Sequence, residues 1–102
     1  MLDVFSIEGV YCMDGQCDTY TGEVSFNDVR SGKFSLNSDS GKEATINLNI
    51  VTCGIGVSIN DQNGEIVKRE IQDIKFITRD DGSWYISEKV DNDKFEITIK
   101  KI

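Results

Sequence analysis

The sequence predicts an all-β fold: about eight antiparallel strands in a meander that closes into a small barrel or a two-layer sandwich, with little or no helix. Three observations carry that expectation. Apolar and polar residues alternate with period two in several short runs, the longest between positions 43 and 60. Asp-Gly and Asn-Gly turn signals separate these runs at short intervals, and short connections force antiparallel neighbours. The chain also has no proline, a residue that often protects an open sheet edge, so closure or charge must do that work. Closure into a barrel is the preferred form.

In chain order, the first strand is expected from Leu2 to Tyr11, with Phe5 and Ile7 inward and Val4 and Val10 on the opposite parity. Asp14-Gly15 is a two-residue hairpin signal. It pairs Met13 with Gln16 and sets Cys12 opposite Cys17 in a non-hydrogen-bonded position, with Cα atoms ~4.5 Å apart, within disulfide range. Tyr20, Val24 and Phe26 then alternate with Thr21, Glu23 and Ser25, and Phe34 and Leu36 mark a short strand before a turn at Asp39 to Gly41. In the central run Ala44, Ile46, Leu48 and Ile50 share one face, and Ile55, Val57 and Ile59 repeat the pattern after Gly54. Two neighbouring strands thus lay seven apolar side chains on one buried surface, with Leu48 at its centre.

Asp61 to Gly64 is a further hairpin signal. Residues 65–78 carry two patterns. Val67, Ile71 and Ile74 recur at helical spacing, whereas strand parity holds if a bulge near Asp73 switches the inward set from Val67, Arg69 and Ile71 to Ile74, Phe76 and Thr78. Strands are preferred, because Ile74 to Thr78, the Arg79 to Gly82 turn and Trp84/Ile86 read as a hairpin. Trp84 is expected in the core. A turn beginning at Asp91 leads to the last strand, with Phe95, Ile97 and Ile99 inward.

The 102 residues form a single expected domain, 1–102, able to build one core without disulfide staples. No apolar run approaches the ~18 residues of a membrane span, and the N-terminus lacks the basic segment of a signal peptide. A cytoplasmic protein is the expectation, with Cys12 and Cys17 able to bond if the compartment oxidises them. Three cysteines and no histidine make a poor zinc site. Asp14/Asp18, Asp80-Asp81-Gly82 and Asp91/Asp93 lack the spacing of a calcium loop and read as turn chemistry. Gly54-Ile55-Gly56 is no dinucleotide fingerprint and reads as a bulge or a close backbone approach. No cofactor is expected.

Without histidine the chain lacks the usual general base and the usual activator of a serine or cysteine nucleophile, so it reads as non-enzymatic. Its charge is unevenly placed. Asp3, Glu8, Asp14, Asp18, Glu23 and Asp28 precede the first basic residue, Arg30; the remaining twelve acids nearly balance eleven bases within the total of −7. Such a segment repels nucleic acid and anionic lipid and steers cationic partners. Glu8, Asp14, Asp18, Tyr20, Glu23 and Asp28 are therefore the candidate contacts for a basic protein partner, with Tyr11 and Tyr20 as exposed aromatics flanking the acidic hairpin.

In profile (small, acidic, single-domain, no evident catalytic set) the chain resembles bacterial immunity proteins that neutralise nuclease toxins, and phage-encoded inhibitors. The likeness is one of type, carried by no motif. It implies carboxylates standing in for substrate phosphates against a toxin's cationic cleft. A small ligand-binding barrel with an apolar cavity is the alternative expectation.

Overall fold

A computed structural model describes residues 3–26, 31–49 and 52–102. Nine strands occur among them, and no helix: β1 (Asp3–Met13), β2 (Gln16–Phe26), β3 (Ser31–Ser38), β4 (Glu43–Asn49), β5 (Gly54–Asp61), β6 (Gly64–Ile71), β7 (Ile77–Thr78), β8 (Trp84–Val90) and β9 (Asp93–Lys101). They form one antiparallel sheet in the order β6-β5-β4-β3-β2-β1-β9-β8-β7. Each strand therefore lies beside its sequence neighbour, β9 returns to β1, and among the described residues the circuit breaks between β6 and β7. The sheet curls round its apolar face as a half-barrel. The expected meander is present; the closed barrel is not, and the strands number nine.

The turns explain the meander. Asp14 (φ 50°) and Gly15 (φ 82°) both adopt the left-handed conformation, giving the I′ geometry that matches strand twist. The β1–β2 register follows from it: Met13 pairs with Gln16 and Cys12 with Cys17, and the hairpin continues to Asp3 opposite Phe26. Cys12 and Cys17 are disulfide-bonded, with Cα atoms 4.0 Å apart, and Cys53 takes no part. In the β5–β6 turn Asp61 Oδ1 accepts the Asn63 N–H at 2.7 Å, and in the β7–β8 turn Asp81 accepts from Ser83 N–H and Oγ–H at 2.9 and 2.6 Å.

Inside, the two alternating runs meet as expected. Ala44 lies opposite Ile59, Ile46 opposite Val57 and Leu48 opposite Ile55, and all six are buried. Their rows extend across β3 to Leu36 and Phe34. Ile7, Ile97, Ile99 and Ile86 line the other half, and Trp84 packs partly buried against them. Ile50, expected on the same face, lies outside the described residues. Leu36 is fully buried over Gly9 and Gly22. A Cβ on Gly22 would come within 2.7 Å of Leu36 Cδ2, so this position needs glycine.

Residues 65–78 are strand at both ends and irregular between. Val67 is buried and Arg69 and Ile71 half-buried on one parity, and beyond Asp73 (φ 59°) the inward set becomes Ile74 and Phe76, while Thr78, expected with them, is exposed. The parity switch is real, but a chain crossing causes it, not a bulge within one strand. Segment 72–76 passes from one sheet edge to the other, held by Ile74 N–H donating to Cys53 C=O at 2.9 Å. A bulge does occur nearby, where the β5–β6 register shifts at Ile59/Asn60.

Candidate functional site

Strand direction places the β1–β2, β3–β4, β5–β6 and β8–β9 turns at one end of the half-barrel. Each carries an aspartate there: Asp14, Asp39, Asp61 and Asp91. Three further carboxylates stand at inward parity close to this mouth. Asp18 pairs with Tyr11, Glu88 with Phe95, and Asp93 opens β9 on the same face as Phe95. Polar side chains are admissible at these inward positions because the core ends here and water or other polar groups can reach them.

One cluster at the mouth is buried. Tyr11 Oη–H donates to Asp93 Oδ2 at 2.5 Å, and Arg69 Nη2–H donates to the same oxygen at 3.3 Å. Asp93 is 7 % exposed and Tyr11 4 %. Arg69 continues the inner row Phe34–Ile46–Val57, so the edge strand β6 points a cation across the opening to β9 and β1. Burial, reinforced by the bond to Asp93, pushes the Tyr11 hydroxyl up to about 12, so it stays a proton donor at physiological pH. The same contacts, with Tyr11 first, hold Arg69 above its ordinary value. Arg69 Nε is buried and has no acceptor. The Tyr11 ring stacks on Phe95 with centroids 6.2 Å apart. The arrangement ties β6 to β1 and β9 across a gap that no backbone ladder spans.

The six sequence-selected contacts do not form one patch. Asp14 is exposed at its turn. Asp18 is half-buried, bound to Lys42 Nζ at 2.8 Å and to Ser40 Oγ at 3.5 Å. The bond to Asp18 raises the Lys42 ammonium above its ordinary value. Glu8 and Glu23 are exposed on the outer sheet surface, away from the mouth, with Glu8 between Thr21 and Thr98 and Glu23 opposite Ser6. Asp28 lies outside the described residues.

The aromatic expectation is overturned: Tyr20 is 3 % exposed and Tyr11 4 %, both within the core. Their rings sit at inward parity, and the Tyr11 hydroxyl reaches Asp93. Burial, then the Asp18 charge, raises Tyr20 as well. Asp93 and Arg69 stand outside the expected contact set: Asp93 reads from the sequence as turn chemistry, and the inward parity of Val67, Arg69 and Ile71 marks Arg69 without showing that it meets Asp93 across the fold.

The interior is nearly filled. The apolar gap bounded by Gly9, Tyr20, Leu36, Ala44, Ile59 and Ile97 measures about 10 Å³. A larger groove, about 330 Å³, opens at the mouth between Met13-Asp14, Ile66-Lys68 and Asp91. Among the described residues no three His, Cys, Asp or Glu side chains are grouped to hold a metal ion, and no helix is long and apolar enough to cross a membrane. The chain matches no family model, no curated protein and no solved structure.

Proposed function

We propose that this protein is a non-enzymatic acidic binding protein that inhibits a cationic protein partner, acting as an immunity protein does on a nuclease-type toxin. The observation that carries the reading is that Asp14, Asp39, Asp61 and Asp91 stand at the same end of the half-barrel, in a chain of net charge −7. Tight turns leave these carboxylates little to order on binding, and like charges at one end attract a basic surface at long range. Asp14 and Asp91 lead this contact set; Tyr20 has no place in it. A cytoplasmic location goes with the reading. There Cys12 and Cys17 would be held reduced, and the I′ turn and its register would keep the hairpin without the bond.

The test is paired neutralisation. Asp14→Asn with Asp91→Asn removes two charges from the mouth, and asparagine tolerates the positive φ of both sites. The control, Asp73→Asn with Asp80→Asn, removes two from the opposite end. The partner is captured on the immobilised protein from the source cells and purified, and association is followed by stopped flow. The mouth pair should slow association several-fold at low ionic strength, with added salt slowing the unmodified protein in the same sense. An equal or larger effect of the control pair would leave the charge asymmetry with no role beyond solubility. The cavity alternative draws no support from a 10 Å³ gap, against the ~300–1,000 Å³ typical of ligand pockets.

A further inference from the structure

Two strand edges flank the break in the sheet. Among the described residues β6 (Gly64–Ile71) pairs only with β5. On the other side β7 covers only Trp84 and Tyr85 of β8, which leaves 86–90 without a neighbour on that edge. Alternate residues of each edge turn N–H and C=O into the opening, where an eight-residue edge is a template for another strand. Arg69 crosses the opening as a side chain, yet its buried Nε–H finds no acceptor. Ile66 is 40 % exposed beside the 330 Å³ groove. Carboxylates outnumber cations around it: Asp14, Asp91 and Asp93 against Lys68 and Arg69.

We propose that this seam takes up an extended, Lys- or Arg-bearing segment of the partner as an added strand on β6. Main-chain hydrogen bonds to β6 hold the segment, its cationic side chains meet the mouth carboxylates, and a carbonyl entering the seam accepts from Arg69 Nε. Because β6 and β8 run in opposite directions, the added strand is antiparallel to one and parallel to the other. The inference rests on the cationic-partner reading and specifies where and how that partner docks. The bulge at Ile59/Asn60 and the inward Arg69 twist and charge the edge, which disfavours indiscriminate pairing.

The probe is a blocked synthetic octapeptide of alternating lysine and valine, titrated into the ¹⁵N-labelled full chain. Two variants and a peptide-free control accompany it: one variant is N-methylated at every second residue, and the other has glutamate in place of lysine. Site-resolved amide hydrogen exchange is the readout. The lysine peptide should slow exchange of the seam-facing β6 amides at least tenfold and saturably, and the N-methylated peptide should not. If the lysine peptide shifts the resonances of Asp14 and Asp91 but leaves β6 exchange unchanged, strand addition is wrong while the cationic-partner reading stands. Equal protection by the glutamate peptide would keep strand addition and sink the cationic-partner reading. No response to any peptide overturns the proposal. Protection of β6 that grows with protein concentration alone, with a doubled sedimentation mass, makes a second copy the occupant and also overturns it.

Discussion

Single side chains set the tolerances of this fold. Leu36 fills the space above Gly9 and Gly22, so Gly22→Ala should destabilise by about 1–3 kcal/mol through overpacking, read by urea unfolding. Leu48, 2 % exposed and opposite Ile55, should lose roughly 2–5 kcal/mol on Leu48→Ala. A loss under about 1 kcal/mol would mean that face is hydrated. Tyr11 adds a pH dependence. Unfolded, its hydroxyl titrates near 10.0; folded, it keeps its proton to about 12. Below pH 10 both states are protonated and the contribution is fully present. Between pH 10 and 12 only the unfolded state loses the proton, so roughly 2–3 kcal/mol of stability should be lost there. Tyr11→Phe should flatten this alkaline limb of the stability curve; an unchanged limb would remove Tyr11 from its cause.

At the scale of elements, the β1–β2 hairpin is specified twice, by its turn and by its disulfide. Mild oxidation of the reduced protein should join Cys12 to Cys17 within one chain, leaving Cys53 out, as mass mapping would show. A link from Cys53 to either would contradict the register. Reduction should cost no more than about 2 kcal/mol, because the closed loop is short and the I′ turn already restricts it. The 65–78 region behaves differently. There two strands belong to opposite sheet edges, and the five residues between them follow neither strand nor helix. Local periodicity cannot report a crossing of that kind, because Ile74 is buried by the seam it closes and not by a ladder of its own.

For the molecule as a whole, surface ion pairs matter less than net charge. The pairs Lys42–Asp18, Lys94–Glu96 and Lys101–Asp3 are partly exposed or exposed. Pairs of this kind contribute little, whereas a net charge of −7 repels itself. Raising NaCl from about 10 mM to about 0.5 M, well past the distance over which exposed charges interact, should therefore raise the melting temperature by a few degrees. A fall would show that the ion pairs outweigh the repulsion.

Period-two patterning and turn chemistry were enough to determine the strand content, the β1–β2 register, the cysteine pairing and the face carrying Ala44, Ile46, Leu48, Ile55, Val57 and Ile59. These are decided within a hairpin, where a one-residue slip would carry every apolar side chain into water. What lies between distant strands was decided only by the tertiary structure. Curvature left β6 and β7 apart and kept the sheet from closing, brought Arg69 to Asp93 and Tyr11 over long stretches of chain, and drew both tyrosines inside. It also dispersed the acidic segment, because Lys42 and Lys101, remote in sequence, fold back onto Asp18 and Asp3. Coulomb energy depends on distance in space, so a run of acids in the chain becomes a surface field only where folding leaves it unpaired; of this run Asp14 stays so at the turn end, and Glu8 and Glu23 on the outer sheet surface.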